Sequence, residues 1–231
     1  MSPSIPEPTE GREQETRPDL LAGQHFPPLP KQKRSRRKRD ALLQSALVLF
    51  AERGYEETSI EGIARRAHVA VGGFYQHFAS KRQILLVLMD RLLQEASSLT
   101  LPIEQLDAQH VQDVIASLVR QGLQVDWSYA GAYRAWREAA VQDRELRELN
   151  ARIERWAASL LESFFRVLLQ VPGARREVDV VTLAWELSLL FLRLAEVPRE
   201  TPEAVDAVVT SLTHLIHHGL FTDAASQKLE G

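Results

Sequence analysis

The sequence contains no cysteine, and this absence excludes disulfide bonds, thiolate metal sites, cysteine nucleophiles and thiol-based redox sensing. A chain without disulfides suits a reducing compartment, so we predict a cytoplasmic location. No apolar run reaches the roughly 18 residues that a membrane-spanning helix requires, and we therefore expect no membrane partner. The first 30 residues also lack the pattern of a signal peptide, a basic segment followed by an apolar one.

Charge is unevenly distributed along the 231 residues, although the formal net charge is only −3. Residues 31–82 contain twelve Lys and Arg against five Asp and Glu, a net charge of +7 that leaves −10 for the remainder. Seven of these cations fall within residues 31–39, the basic run, where no acidic residue interrupts them. A basic patch on an acidic protein indicates nucleic-acid binding, and such a run can follow phosphates as a flexible arm. By itself the run could equally be a targeting-like signal or the solvated start of a helix.

Proline marks the N-terminal end of the chain as different from the rest. Residues 1–30 contain seven of the eleven prolines and little apolar periodicity, so we predict a disordered tail there. The apolar residues at 20–22 and Phe26 could form a small docking motif within that tail. We also expect a short flexible tail over residues 222–231.

A helix-turn-helix is predicted directly after the basic run. Residues 40–53 carry apolar side chains at the spacing of an amphipathic helix, and Gly54 follows where helices commonly end. Thr58 and Glu61 have the spacing of a capping box, which begins a second helix. Residues 68–69 form the turn and residues 70–77 form the short recognition helix. A further capping box, Ser80 with Gln83, begins the next helix. Together with the basic run, these elements make residues 31–82 the predicted DNA-binding domain.

This segment resembles the DNA-binding domain of the tetracycline-repressor (TetR) family of bacterial regulators. The matching residues lie between positions 39 and 85: Arg39, Ala46, Phe50, Gly54, Tyr55, Thr58, Ser59, Ile63, Ala64, Ala67, Val69, Gly73, Phe74, Tyr75, His77, Phe78, Lys81 and Leu85. The chain departs from the family pattern at His68, where glycine is usual, and at Ala70, where Ser or Thr often caps the recognition helix. A lost cap costs roughly 1 kcal/mol, so we expect weaker local stability and retained function.

The resemblance implies a division of labour among the DNA contacts, since phosphate contacts position a protein and base contacts specify the sequence. The implied phosphate partners are Tyr75, His77 and Lys81, together with Thr58 and Ser59 at a helix N-terminus. The implied base-reading positions are Val71, Gly72, Gly73 and Gln76. Only Gln76 can make a bidentate contact to adenine, so DNA shape and the basic run, with Arg36, Arg37 and Arg39, are expected to supply part of the specificity.

The remainder of the chain is predicted to be a helical ligand-binding and dimerisation domain over residues 83–221. Apolar residues at helical spacing predict helices at 84–99, 103–126, 129–141, 145–170, 177–196 and 202–218. The last helix has Thr201 as its N-cap, Pro202 at its first position and Gly219 past its end. No stretch alternates as a strand does. We therefore predict an all-α protein of about nine helices, in which residues 84–99 link the three-helix domain to the C-terminal bundle.

Candidate ligand-binding residues are aromatic. Tyr133, Trp136 and Trp156 could line an effector pocket of the kind that the resemblance implies, with His110 and Arg137 as polar contacts. Aromatic residues at helical spacing belong more often to a plain core. A basic residue such as Arg137 would suit an acidic or acyl-type ligand.

Three histidines near the C-terminus raise the question of a metal. His214 and His218 are spaced i, i+4, but they lack the glutamate of an H-E-x-x-H motif and an assignable third ligand. With His217 they fall on the polar face of the last helix near its C-terminus, where histidine is electrostatically favoured. We predict no metal, no cofactor and no catalytic residue, and a metal-dependent enzyme built on this cluster is the less favoured alternative.

The resemblance implies a ligand-responsive dimer. The expected function is that of a homodimeric transcriptional repressor, released from a palindromic DNA operator by a small, largely apolar effector. The other candidate is an architectural DNA-binding protein without an effector.

Overall fold

The computed structural model describes residues 15–195 and 201–222, apart from the side chain of Gln105, and these residues form an all-α fold. The described residues contain nine α-helices: α1 Lys33–Arg53, α2 Ile60–Arg66, α3 Val71–Tyr75, α4 Lys81–Ser97, α5 Val111–Ser128, α6 Ala130–Gln142, α7 Arg144–Leu168, α8 Val180–Leu194 and α9 Pro202–Leu220. A short 3-10 turn at Ile103–Gln105 lies between α4 and α5. The predicted fold class is confirmed. Among the described helices, none is both long and apolar enough to cross a bilayer.

Two hydrophobic cores meet in the middle of the molecule. The first joins α1 to α4 with α6 and the N-terminal half of α7, and it buries Phe50, Phe74 and Trp136 almost completely. The second joins α5, α8 and α9 with the C-terminal half of α7, around residues such as Phe165 and Leu212. Since α7 belongs to both cores, the helix-turn-helix packs directly against the helical domain.

The basic run is the beginning of α1 and not a flexible arm. The helix starts at Lys33, well before the predicted start at residue 40. Lys and Arg are good helix formers, and their charged ends stay in solvent while Arg36 Nε donates to Pro30 O at 3.0 Å. The Arg39 guanidinium lies over the Phe78 ring, 4.9 Å from its centroid. The cations of this run are therefore held on a helix.

Residues 15–30 are packed against the helices, which contradicts the predicted disorder over that part of the tail. Leu20 is 2% exposed and belongs to the first core. Arg17 pairs with Asp90 of α4 at 2.5 Å, and His25 O accepts from Gln83 Nε2 at 2.7 Å. The apolar side chains of this proline-rich segment pack on helices that are distant in sequence, and the composition of the segment does not reveal such contacts. Residues 1–14 and 223–231 of the predicted tails lie outside the described residues.

Helix caps agree with prediction in part. Ser59, one residue after the predicted cap, caps α2, and its Oγ accepts from Gly62 N at 3.0 Å. Thr58 is buried instead, and its hydroxyl donates to Gly54 O at 2.6 Å. The predicted caps at Ser80 and Thr201 are confirmed.

Two predicted boundaries in the C-terminal helices are wrong. Helix α9 continues through Gly219 to Leu220, so that glycine does not end it. The helix predicted from residue 103 begins only at Val111, because the Asp107 carboxylate accepts from the backbone N–H groups of Gln109 and His110 in a turn.

Candidate nucleic-acid interface and ligand cavity

Helix α3 and its C-cap residue present four of the residues that the resemblance assigned to DNA. Val71, Gly72, Tyr75 and Gln76 are exposed, with Val71 at 38% and Tyr75 at 49%. Phe74 is fully buried and anchors the opposite side of the helix next to Phe78, with ring centroids 6.0 Å apart. An exposed aromatic and an exposed valine side by side form a surface suited to a partner.

The two glycines of α3 have different reasons to be glycine. A Cβ added at Gly72 would meet nothing within 4 Å, so its backbone is open to an approaching molecule. A Cβ added at Gly73 would lie 2.7 Å from Val69 Cγ1, which is closer than packed carbon atoms come. Gly73 therefore serves the packing of α3 on the turn, whereas the sequence analysis assigned it to DNA.

The turn before α3 is strained at His68, where the chain departs from the family pattern. His68 has φ 54°, the left-handed region in which a residue with a Cβ costs roughly 1–2 kcal/mol. Ala70 at the N-cap of α3 supplies no side-chain hydrogen bond. The helix has five residues, so its position depends on the burial of Phe74 more than on its own backbone bonds.

The residues predicted to contact phosphate fall into two groups. Ser59 and Tyr75 are exposed near α3, whereas Thr58 and His77 are buried at 2% and 5% exposure. The His77 Nδ1 atom has no hydrogen-bond partner among the described residues. Burial, with added repulsion from Arg39 and Lys38, lowers the pKa of His77, so its imidazole is neutral near pH 7. In this conformation the Thr58 and His77 side chains are not presented to DNA.

Lys81 organises the α1–α2 loop. Its ammonium donates to the backbone carbonyls of Tyr55 at 2.7 Å, Thr58 at 3.2 Å and Glu56 at 3.3 Å. It also lies 4.3 Å from the centroid of the Tyr55 ring. The ammonium that the resemblance assigned to phosphate is thus hydrogen-bonded to backbone carbonyls, and Lys81 holds the α1–α2 loop in place.

The same loop is held from the other side by Glu138 of α6, which sequence analysis missed. Glu138 accepts from Tyr55 N at 2.6 Å and from Glu56 N at 3.0 Å. Gly54, at φ 82°, allows this approach because a Cβ there would collide with the carboxylate. Nothing in the sequence around Glu138 distinguishes it from other surface glutamates, since its partner lies 83 residues away.

Further contacts fix α6 and α7 to the helix-turn-helix. Gly131 of α6 packs on α1 so closely that a Cβ would collide with Leu47 O. Arg82 of α4 pairs with Asp143 and Glu145, both at 2.7 Å. The orientation of the DNA-binding helices is thus set by helices of the larger domain.

A cavity of about 110 Å³ lies where the two hydrophobic cores meet. Side chains from α4, α5, α6, α7, α8 and α9 line it, and almost all are apolar. Tyr133 and Trp156 are among them, as sequence analysis predicted. The cavity has the features of a small-molecule pocket, because it is concave and apolar and carries few polar groups.

The other predicted ligand contacts do not line the cavity. Trp136 is buried in the first core, where its Nε1 donates to Asn150 Oδ1 at 3.1 Å. His110 is exposed at the start of α5 and lies 2.9 Å from the Asp107 carboxylate, which raises the pKa of that histidine. Arg137 is exposed on α6.

Sequence analysis missed Asp126, the acidic residue of the cavity wall. Its carboxylate accepts from the Tyr133 hydroxyl at 3.2 Å. Burial raises the pKa of Asp126 to about 7. The spacing of the sequence could have identified this residue. Asp126 falls on the same face of α5 as Ile115 and Gly122, and an acidic residue within an apolar stripe is unusual.

The C-terminal histidines form an aromatic cluster. The ring of His218 lies 6.2 Å from that of His214 and 5.7 Å from that of His217, which stacks on Phe221 at 5.1 Å. Within the described ranges, no group of three or more His, Asp and Glu side chains is placed to hold a metal ion.

Comparison with known proteins identifies the family that the DNA-binding segment matches. Residues 42–88 match the model of bacterial regulatory proteins of the tetR family. The regulator TcmR of Streptomyces glaucescens is 45% identical over 56 residues, which cover 24% of this chain and 25% of that protein. The regulator EthR of Mycolicibacterium smegmatis is 26% identical over 184 residues, 76% of this chain and 82% of that protein. This chain therefore matches only about a quarter of the length of TcmR, whereas the EthR match extends over most of both chains.

A solved structure extends the likeness in fold to most of the chain. NalD of Pseudomonas aeruginosa, the secondary repressor of the MexAB-OprM multidrug efflux pump, superimposes with a TM-score of 0.54 at 23% identity. The superposition covers 83% of this chain and all of NalD, 100%. The helix-turn-helix segment of this chain therefore matches the tetR family of bacterial regulatory proteins, and the helices around it have the same fold as NalD.

Proposed function

We propose that this chain is a homodimeric transcriptional repressor, which a small, largely apolar effector releases from a palindromic operator. The observation that carries the proposal is that one helix reaches both sites. Helix α6 contributes Tyr133 to the cavity wall and, five residues later, Glu138 to the α1–α2 loop. A ligand that displaces α6 would therefore disturb the support of the DNA-binding helices.

Helix α4 offers a second route between the same two places. Its C-terminal half contributes Leu92 and Ala96 to the cavity, and its first residue is Lys81, which holds the loop carbonyls. A ligand larger than the cavity would push α4 and α6 outward and change the orientation of α3. In thermodynamic terms the ligand would favour a conformation that binds DNA less well.

The DNA-binding role rests on charge and exposure. Arg36 and Arg37 are exposed on the first turns of α1, where they can attract phosphates without reading the sequence. Tyr75 and Ser59 are exposed for phosphate contacts, and Val71, Gly72 and Gln76 for base edges. Because this base-reading set is small, we expect DNA shape to supply part of the specificity.

A dimer is proposed through α8 and α9. Leu190 of α8 is 37% exposed and Leu215 of α9 is 50% exposed, so both helices retain apolar surface outside the core. A two-fold dimer would place two copies of α3 about 34 Å apart, or a multiple of that, and so select an operator with two-fold symmetry.

Repression, as opposed to activation, is proposed on the likeness to NalD, which is a repressor. No chemical step is proposed, since the cavity lacks a pair of acidic and basic side chains among its described residues.

The test is to sequence genomic DNA fragments that the purified protein retains. We expect enrichment of a palindromic site, and Gln76→Ala should change the preferred sequence while binding persists. Retention of random fragments would contradict specific repression. A thermal-shift screen tests the effector, because stabilisation by one class of small molecule supports the proposal, and its absence favours an architectural DNA-binding protein.

A further inference from the structure

Asp126 is the only acidic side chain among the described residues that line the cavity, and no Lys, Arg or His accompanies it there. We infer that the effector carries a basic nitrogen and binds as an ammonium ion paired with Asp126. This inference rests on the proposed function and specifies the class of ligand for the same cavity.

The position of Asp126 points its carboxyl group into the cavity. It lies on α5 one turn after Gly122, and both residues line the cavity wall. A Cβ at Gly122 would meet nothing within 4 Å, so there is open space beside the carboxylate. The Tyr133 hydroxyl is its only hydrogen-bond partner in the described part of the chain, and none of the ion pairs recorded there involves Asp126. The second carboxylate oxygen can therefore accept a bond from a ligand.

A lone carboxyl group in an apolar wall is unfavourable unless something pairs with it. Transfer of an ionised carboxylate from water into such surroundings is costly, and the group responds by holding its proton. Burial accordingly raises the pKa of Asp126 to about 7, so its protonated and ionised forms coexist near neutral pH. An ammonium ligand would stabilise the ionised form through a charge-assisted hydrogen bond.

The aromatic part of the wall suits the same ligand. Tyr133, Trp156, Phe165 and Phe191 all line the cavity, and the faces of aromatic rings attract cations. An acidic ligand would meet the opposite situation, with a carboxylate and no compensating cation. The acidic or acyl-type ligand considered for Arg137 is therefore disfavoured, because Arg137 does not line the cavity.

The cavity volume limits the size of the probes. A volume of about 110 Å³ is somewhat below that of an engineered apolar cavity of about 150 Å³ that takes up benzene, so the probes carry one ring with one small substituent, and their binding requires α4 and α6 to move outward. Benzylamine and benzyl alcohol share an aromatic ring and have the same number of heavy atoms. They differ in the group that would meet Asp126, a cationic ammonium in one and a neutral hydroxyl in the other.

The experiment is calorimetric titration of the full chain with each probe near neutral pH, in the absence of DNA. We expect benzylamine to bind at least about tenfold more tightly than benzyl alcohol, the factor that corresponds to one good charge-assisted bond. Asp126→Asn should reduce this ratio to about twofold or less, because the amide keeps the shape and loses the charge. Asp113→Asn, on the exposed side of the same helix, should leave the ratio unchanged.

Equal affinities for the two probes, or a preference for the amine that survives Asp126→Asn, would overturn the inference. Failure of benzylamine to bind at millimolar concentration would do so as well. The comparison of the two probes on the unaltered protein needs no variant, so a folding defect in Asp126→Asn cannot obscure the result. Because the titration contains no DNA, it tests the inference apart from the proposed function. If benzylamine binds preferentially but does not release DNA in a separate gel-shift assay, the proposed function is refuted and the inference stands.

Discussion

The contact between Glu138 and the α1–α2 loop gives a quantitative prediction for the link between the two domains. Its carboxylate accepts from the Tyr55 and Glu56 amides at 2.6 Å and 3.0 Å. A hydrogen bond to a charged group contributes about 1.5–3 kcal/mol, but the Glu56 bond is exposed and contributes less. We therefore expect Glu138→Ala to cost about 2 kcal/mol, mainly from the part-buried Tyr55 amide left without an acceptor.

Amide hydrogen exchange measures this loss at the residues concerned. A local cost of about 2 kcal/mol corresponds to roughly 30-fold faster exchange at the Tyr55 amide, if exchange proceeds by local opening of the loop. Glu148→Ala is the matched control, since that glutamate is exposed and, among the described residues, pairs only with Arg144 four residues earlier. The control should change stability by less than about 0.5 kcal/mol and leave Tyr55 exchange unaltered.

The same variant tests whether the Glu138 contact couples effector binding in the cavity to DNA binding. Glu138→Ala should bind DNA with little loss in the absence of effector, and effector should then change DNA affinity less than in the unaltered protein. Unchanged exchange at Tyr55 in Glu138→Ala would show that the carboxylate does not hold the loop in solution. Faster exchange with an unchanged effector response would instead assign the coupling to α4 alone.

Three further predictions concern backbone conformation, packing and assembly. His68→Gly should raise the free energy of unfolding by up to about 1 kcal/mol, because glycine adopts the positive φ of 54° without strain. A lower free energy of unfolding for this variant, measured by chemical denaturation, would refute the prediction. Gly73→Ala should lower the thermal midpoint by an amount equivalent to about 1–3 kcal/mol, because its Cβ would collide with Val69. Gly72→Ala should leave the midpoint nearly unchanged. Equal effects of the two substitutions would show that Gly73 is not required for packing. Leu215→Glu should convert the dimer to monomer in sedimentation, whereas Val141→Glu, at an exposed apolar position on α6, should not. Monomeric unaltered protein at micromolar concentration would rule out the proposed assembly.

Local chemistry made much of the fold predictable from the sequence. Helical spacing of apolar residues and the caps at Ser80 and Thr201 depend on residues a few positions apart, and these predictions are confirmed. The turn at His68 was also anticipated, since its backbone conformation is a local property. Thr58 and Ser59 show the limit of such reasoning, because both can cap a helix and burial decides which one does.

Long-range contacts were not predictable in the same way. Leu20 lies in a proline-rich segment whose composition indicates disorder, yet it is buried by helices that begin more than ten residues later. The family resemblance assigned Lys81 to phosphate, and the loop carbonyls that its ammonium contacts become visible only in three dimensions. Asp126 differs from these, because its place on an apolar face could have been noticed from spacing alone.

The packing of residues 15–30 bears on how the DNA-binding part could be transplanted. Exchange of recognition segments between regulators normally assumes a module that begins at its first helix. Here such a cut would remove Leu20 from the first core and the partners of Asp90 and Gln83 on α4. The loop contact made by Glu138 would also be left behind on α6. A functional chimera would therefore have to carry residues 15–30 with the helix-turn-helix and meet an acceptor whose sixth helix supplies an equivalent carboxylate.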